Sequence, residues 1–280
     1  NLQPGNWYLH VQYNDNARNN TGTQAVITTS NAFTISDASL AIGDPTWNGI
    51  NATMPITGQQ TGCTLQYKIG SGTWTDIASG NTVTVQSGTT VYACLFDGIN
   101  RKCISKTPIL KYNVVYRANG GTGANITESN RNYGTSYQTK ASNTFSRTGY
   151  TFVSWKCNNV DYAAGANFSN LTTTNGATVY MDAQWKVNNY TVTIARNNTS
   201  YGTVSNTSVS VPYGTTYSTS GSTLSFSNGT RVTASTTSAT GYTTTFSSWS
   251  PSSGTITGNT TITANFSRTA NTYTLTIDPN

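Results

Sequence analysis

The feature that most constrains this chain is a stretch that it contains twice. Gly149-Tyr150-Thr151-Phe152-Val153-Ser154-Trp155 returns, in stretched form, as Gly241-Tyr242-Thr243-Thr244-Thr245-Phe246-Ser247-Ser248-Trp249. The same landmarks surround each copy in the same order. An aromatic-led opener comes first, Tyr112-Asn113-Val114-Val115-Tyr116 in one case and Tyr190-Thr191-Val192-Thr193-Ile194 in the other, and a third opener stands at Tyr273-Thr274-Leu275-Thr276-Ile277. Tyr112, Tyr190 and Tyr273 lie 78 and 83 residues apart, a longer period than the roughly 20–50 residues of solenoids and propellers. A turn comes after each of the first two openers, Tyr133-Gly134-Thr135-Ser136-Tyr137 and Tyr213-Gly214-Thr215-Thr216-Tyr217. Each copy then closes on an alternating run, Thr178-Val179-Tyr180-Met181-Asp182-Ala183-Gln184-Trp185 and Thr261-Ile262-Thr263-Ala264-Asn265-Phe266. Four landmarks in register imply a chain of repeated, domain-sized modules.

The periodicity within the modules is that of strands. Apolar residues alternate with polar ones at period two, in short runs cut by Gly, Asn and Pro, and no window of ten or more residues carries helical spacing. Charged residues make up only 9% of the 280, against roughly 25% in ordinary soluble proteins. Such low charge beside abundant Ser, Thr and Gly could signal disorder, yet 17 Tyr, 8 Phe and 6 Trp supply more aromatic area than disordered chains carry. The expected fold class is therefore all-β, as tandem small domains with an uncharged polar surface.

At this point the landmarks resemble a known family. The opener, Ala118-Asn119-Gly120-Gly121-Thr122-Gly123, the Tyr-Gly-Thr turn, Arg147-Thr148-Gly149-Tyr150-Thr151-Phe152-Val153-Ser154-Trp155 and the terminal Ala183-Gln184-Trp185 are similar to the Listeria-Bacteroides, or internalin B-type, repeat over residues 111–186. Residues 187–270 resemble its divergent form: Asn197-Asn198-Thr199-Ser200 replaces the Asn-Gly-Gly turn, the Gly-Tyr block is stretched by two residues, and Phe266 replaces the final Trp. The resemblance implies β-grasp-like modules, used in tandem as stalks or protein-contact units of large bacterial surface proteins, with no catalytic residues to carry over. Residues 271–280 read as the first strand of a further repeat.

Residues 1–36 open with Trp7-Tyr8-Leu9-His10-Val11, turn at Asn14-Asp15-Asn16-Ala17, and continue at Gln24-Ala25-Val26-Ile27. This hairpin resembles the C-terminal strands of a truncated immunoglobulin-like domain. Residues 37–110 carry short strands at sandwich spacing and resemble a bacterial immunoglobulin-like or fibronectin III-like domain. Here a two-residue loop at Gly98-Ile99 would set Cys94 opposite Cys103, within bridging range. The alternative is a Cys63–Cys94 bridge, which leaves Cys103 free; Cys157 is expected to remain a thiol.

Few groups offer chemistry. His10, the sole histidine, alternates with core positions, and no nucleophile elbow accompanies it. Glu128, the sole glutamate, falls in a polar stretch read as a loop, with Asp97 and Asp161 the nearest acids in sequence; paired carboxylates need to lie within roughly 5–10 Å. Asn14-Asp15-Asn16 reads as a turn rather than a calcium site, and no Cys-x-x-Cys pair occurs. A Lys–Asn isopeptide bond is excluded in residues 187–270, which have neither Lys nor acid; Lys111, Lys140 or Lys156 are candidates elsewhere, with Glu128 or Asp161 as the acid. Trp155, Trp185 and Trp249 are the candidate aromatic contact surface, with core as the competing role. No catalytic, cofactor or metal site is expected, and the protein is read as no enzyme.

The net charge of +6 divides along the chain. Residues 37–110 balance four Asp with four Lys or Arg, residues 111–186 carry seven basic and three acidic residues, and residues 187–270 carry three Arg alone. That dispersion lacks the one-faced cluster of a nucleic-acid groove. No apolar run reaches the roughly 18 residues of a membrane span, and no signal peptide opens the sequence, which suits an internal section of a longer protein. The expectation is a section of a bacterial extracellular protein at the cell surface or cell wall, an adhesin stalk or protein-contact array. Its partners would be a protein or glycan on a host or neighbouring cell, and edge strands at Trp7 and Tyr273 would suit self-association into a filament. The alternative is glycan-binding accessory modules of a secreted carbohydrate-active protein.

Overall fold

A computed structural model describes residues 39–277, so the 1–36 hairpin, with Trp7, His10 and Asn14-Asp15-Asn16, lies outside the described residues. The fold is all-β: every regular element among the described residues is a strand. The chain forms two compact units. One takes the residues up to Val114 with Glu128–Ser136 and Ser169–Val179; the other takes Val115–Thr127, Tyr137–Phe168 and everything from Tyr180 on.

In the first unit, eight strands come in sequence order: β1 (Ala41–Ile42), β2 (Thr46–Asn48), β3 (Asn51–Thr57), β4 (Thr64–Ile69), β5 (Thr75–Asp76), β6 (Thr82–Gln86), β7 (Val91–Phe96) and β8 (Arg101–Lys106). They form two sheets, β3 flanked by β1, β2 and β6, and β5-β4-β7-β8. Alternation decides which face is covered. Ala52, Met54 and Ile56 of β3 are buried at every second position, as are Val83 and Val85 of β6. Met54, Ile56, Val83 and Val85 share one apolar cluster with Leu65, Val91, Ala93 and Leu95 of the other sheet. Each such side chain contributes about 1.5–3 kcal/mol on burial.

Seven further strands come next: β9 (Lys111–Arg117), β10 (Ile126–Asn132), β11 (Tyr137–Gln138), β12 (Tyr150–Cys157), β13 (Val160–Tyr162), β14 (Asn167–Phe168) and β15 (Thr178–Val187). Five of them form the sheet β10-β9-β15-β12-β13, and β11 pairs with β14 in a two-stranded ribbon. Glu128 therefore lies in a strand, not the loop expected from its polar surroundings, and pairs with Arg131 at 2.8 Å. In Ile-Thr-Glu-Ser-Asn-Arg-Asn, pairing along the backbone outweighs a composition that gives no apolar face.

The second unit completes the chain with β16 (Asn189–Arg196), β17 (Gly202–Val204), β18 (Ser208–Pro212), β19 (Thr216–Ser220), β20 (Thr223–Phe226), β21 (Arg231–Thr236), β22 (Tyr242–Ser250), β23 (Ser253–Thr255) and β24 (Thr260–Ala270). They form the sheets β18-β16-β24-β22 and β17-β21-β20-β19-β23. Val192, Ile194, Val211, Trp249, Ile262 and Phe266 of the first sheet join Tyr217, Leu224, Phe226 and Val232 of the second in one buried core.

The order β18-β16-β24-β22 repeats β10-β9-β15-β12 strand for strand. Both copies slip register at the same point. The shift between Phe152 and Ser154 against β15 is matched by one between Phe246 and Ser248 against β24. This extra residue is a β-bulge, after which Trp155 faces Ala183 and Trp249 faces Ala264. The two residues added to the second Gly-Tyr block are absorbed without disturbing the faces. Phe152 pairs with Trp185 and Tyr150 with Val187, whereas Phe246 pairs with Phe266 and Tyr242 with Ala270. Each arm of the hairpin gains two residues, and an even insertion leaves every side chain on its original side.

Tyr273-Thr274-Leu275-Thr276-Ile277, expected as the first strand of a further repeat, carries no strand pairing among the described residues, and Tyr273 is 80% and Leu275 84% exposed. Its counterpart β16 is held by β18 and β24, both of which come after it in sequence. No such strands lie beside residues 273–277 among the described residues.

Candidate functional site

The best-defined constellation lies where residues 111–186 hand over to 187–270, within the second unit. Arg147-Thr148-Gly149-Tyr150 is a turn closed by the Tyr150 N–H donating to the Arg147 carbonyl at 3.0 Å, and Gly149 takes φ +78°, a conformation that favours glycine. Asn188 is clamped on this turn. Its N–H donates to the Gly149 carbonyl at 2.9 Å, and its side-chain oxygen accepts from the Thr151 hydroxyl at 2.6 Å. The Asn188 carbonyl then accepts from the Tyr213 N–H at 2.8 Å. This seats the Tyr213 ring directly against Gly149, where a Cβ would come 2.5 Å from Cδ2 and closer still to Cγ and Cδ1.

Three rings surround the seat. Tyr213 meets Tyr150 and Tyr190 with centroids at 6.4 Å in both cases, and the Arg147 guanidinium stacks 3.9 Å from the Tyr150 centroid. Beside them a shallow open cleft is lined by Thr151, Lys186, Val187, Asn188, Asn189 and Tyr190. Its lining offers hydroxyl groups, amides and one ammonium, and no carboxylate. The Tyr-Gly-Thr tyrosine was legible in the sequence only as a turn landmark. Its role as the plug on Gly149 depends on two residues 64 positions apart, and no local pattern carries that.

A second surface covers the outer face of β5-β4-β7-β8. Cross-strand pairs Lys68↔Tyr92, Gln66↔Cys94, Tyr92↔Ser105, Cys94↔Cys103 and Phe96↔Arg101 project there. Cys94 and Cys103 are joined by a disulfide, with Cα atoms 4.1 Å apart, which leaves Cys63 and Cys157 free. The hairpin that sets them opposite is closed by the Asp97 carboxylate, which accepts from the N–H groups of Ile99 at 2.8 Å and Asn100 at 2.7 Å. Those bonds hold its carboxyl below the ordinary aspartate range. Along this face Lys68 sits 5.0 Å from the Trp74 and Tyr92 centroids, and Arg101 sits 4.0 Å from Phe96 and 5.2 Å from Trp74. A relay of hydrogen bonds runs from Arg101 Nε to Gln66 at 3.1 Å and from Gln66 Nε2 to Asp76 at 2.8 Å. Sequence reading did not single out Trp74, Lys68 or Arg101; strand register brings Lys68 and Arg101 to one face, and the loop before β5 lays Trp74 beside them.

The tryptophans expected as a contact surface divide. Trp155 is 0% and Trp249 3% exposed, so neither presents a platform. Trp155 packs against Tyr116, Phe145 and Phe152, and its Nε1 donates to the Lys140 carbonyl at 2.8 Å. Burial of so large a ring outweighs any surface use. Trp185 is half-buried, and its Nε1 donates to the Ala118 carbonyl at 2.9 Å. Gly121 lies so near that a Cβ there would come 2.8 Å from Trp185 Cζ2, which fixes glycine in the Asn119-Gly120-Gly121 turn.

The remaining groups are pairs, not sites. Arg117 grips Asp182 with two bonds of 2.5 and 2.6 Å, which pushes its guanidinium pKa further up. Lys156 lies 3.7 Å from Asp161, both of them substantially exposed, unlike the buried acid of a side-chain cross-link. Burial raises the thiol pKa of Cys157, and burial followed by the charge of Asp97 raises that of Cys63, so neither is an activated thiolate. Among the described residues no three His, Cys, Asp or Glu side chains gather as metal ligands, and no helix is long and apolar enough to cross a membrane. No family model and no curated protein matches the chain.

Proposed function

We propose that this chain is a section of an extracellular bacterial surface protein, an adhesin stalk or protein-contact array made of tandem β modules. The observation that carries the reading is the Gly149–Tyr213 seat. A linker meant only to tether would leave the modules independent, whereas Asn188 is bonded on both sides and Tyr213 is keyed into a glycine. Such a joint holds successive modules at fixed spacing, which is what a stalk requires. The Cys94–Cys103 bridge favours an oxidising compartment, and the sequence resemblance to internalin B-type repeats points the same way.

The contact function falls to the outer face of β5-β4-β7-β8. Lys68 and Arg101 lie over the Trp74, Tyr92 and Phe96 rings, on faces that a neutral sugar would stack against. Displacing them would forfeit cation–π contacts of about 0.5–1 kcal/mol each. This favours a protein partner over the glycan-binding alternative. Two experiments decide. Antibodies against the chain should label intact producing cells as strongly as permeabilised ones, and labelling only after permeabilisation refutes the surface assignment. On a glycan array the chain should stay dark; binding that Trp74→Ala abolishes would transfer the reading to the glycan-binding class.

A further inference from the structure

The handover at Asn188 is written a second time at the far end of residues 187–270. Ala239-Thr240-Gly241-Tyr242 is closed by the Tyr242 N–H on the Ala239 carbonyl at 3.1 Å, and Gly241 has φ +79°. Asn271 is clamped on it as Asn188 is on Gly149. Its N–H donates to the Gly241 carbonyl at 2.8 Å, and its side-chain oxygen accepts from the Thr243 hydroxyl at 2.7 Å. Half of the step exists upstream in the first unit: the Leu110 carbonyl accepts from the Tyr133 N–H at 2.8 Å, while the Leu110 N–H donates to Ser87 Oγ at 2.9 Å in place of a glycine carbonyl. Leu110, Asn188 and Asn271 each stand two residues before an opener tyrosine.

The difference lies in what covers the turn. At Gly149 the Tyr213 ring fills the space beside the glycine, whereas at Gly241 a Cβ would meet nothing within 4 Å. Tyr242, the counterpart of Tyr150, is 51% exposed, and Tyr273, the counterpart of Tyr190, stands in solvent. A glycine held at positive φ, a clamped asparagine and two uncovered tyrosines reproduce the seat without its plug.

We infer that the Gly241–Asn271 end is a preformed seat for a further β module of the same kind, filled by the ring of that module's Tyr-Gly-Thr tyrosine, whose N–H takes the Asn271 carbonyl. The inference rests on the stalk reading, because a stalk is what repeated addition at such seats would build. The two fail separately: a seat that fills in a protein found inside cells sinks the stalk and keeps the seat, and an empty seat in a surface protein does the reverse.

The test extends the full chain by placing a copy of Tyr190–Ala270 directly after Thr272. Hydrogen exchange and tyrosine nitration are then read by mass spectrometry. The amide of the appended counterpart of Tyr213 should be slowed about tenfold or more relative to an open turn, and nitration of Tyr242 should fall about fivefold on the same footing. Gly241→Ala in the extended chain should abolish both effects while the core amides of the appended module stay protected. A protected appended core with a freely exchanging tyrosine amide, and Tyr242 as reactive as in the unextended chain, would overturn the inference. A second extension carrying a copy of Tyr112–Lys186 guards against one poor fusion. If neither appended module folds at this point, the seat is refuted too, since a prepared joint should accept at least one of them.

Discussion

Gly149→Ala is the substitution that most directly measures the joint, and the chain carries its own control. At φ +78° an alanine incurs backbone strain of about 1–2 kcal/mol, and Gly241→Ala, at φ +79°, incurs the same with no other cost because its surroundings are open. At Gly149 the added methyl also collides with the Tyr213 ring. The ring must leave, forfeiting contacts to Tyr150 and Tyr190. Their 6.4 Å separations place each near the lower end of the roughly 0.5–1.5 kcal/mol typical of ring pairs. The Tyr213–Asn188 backbone bond adds about 1 kcal/mol. Gly149→Ala should therefore destabilise by about 2 kcal/mol more than Gly241→Ala, roughly a thirtyfold difference in the opening equilibrium. Tandem modules do not unfold as one two-state body, so the assay is native-state hydrogen exchange at the slow amides of β12, β16 and β24. The added substitution Tyr213→Ala should recover about 1 kcal/mol or more of the loss, a coupling expected of residues in direct contact. Equal costs at the two glycines, within about 0.5 kcal/mol, would refute the seat.

Three further outcomes are expected. Replacing Cys94 and Cys103 with serine opens a loop spanning nine positions and should cost the sandwich about 2.5 kcal/mol; its urea midpoint should then ignore reductant, while that of the parent falls to meet it. Asp97, held below the ordinary aspartate value of 3.8, stabilises the folded form fully above that value and loses its effect as pH falls through the lower folded value. Acid should therefore speed exchange at Ile99 and Asn100 first, and Asp97→Asn should flatten that profile. Trp155→Phe should cost about 2 kcal/mol more than Trp249→Phe by chemical denaturation, because the first removes the indole bond to the Lys140 carbonyl while the second removes a buried indole N–H that has no partner among the described residues.

Much of the fold could be read from residue order because period two and turn chemistry are local. Thr64–Ile69 and Val91–Phe96 are strands with the bounds that their alternation suggests. Other parts rest on longer-range causes. The strands of β17-β21-β20-β19-β23 are built mostly of Ser and Thr with a single Val, Leu or Phe at intervals, as in Thr223-Leu224-Ser225-Phe226, a pattern too sparse in apolar residues to set strand bounds locally. Tyr273–Ile277 has strand composition and no strand, since hydrogen-bonded neighbours, not propensity, make one. The contact surfaces were least legible. Lys68 and Arg101 reach one face through the register of β4, β7 and β8, where both meet Trp74 from the loop before β5, and Tyr213 meets Gly149 through the Asn188 clamp.

The two sibling modules also show how a shared plan tolerates change on one side only. The strand order, the bulge and the Phe–Trp contact recur, at 5.0 Å for Phe152–Trp155 and 5.7 Å for Phe246–Trp249. These elements shape the ring pocket and the hairpin that ends in the seat. The segment after the Tyr-Gly-Thr turn differs between the copies. In the first copy the short β11 ends at Gln138, and the Lys140 carbonyl two residues on accepts from the indole of Trp155. In the second copy the same positions continue as β19, where Tyr217–Ser220 pair with β20 and Thr216–Ser218 with β23. The backbone groups there are committed to ladders, so Trp249 is buried with its N–H unmet. A larger second sheet has replaced one side-chain bond, and the stability forgone at a buried donor, about 1–3 kcal/mol, is within what the added apolar core of Leu224, Phe226 and Val232 returns. The covering layer thus differs between the copies, while the hydrogen bonds of the Gly-Tyr turn and its asparagine clamp recur in both, at Gly149–Asn188 and at Gly241–Asn271.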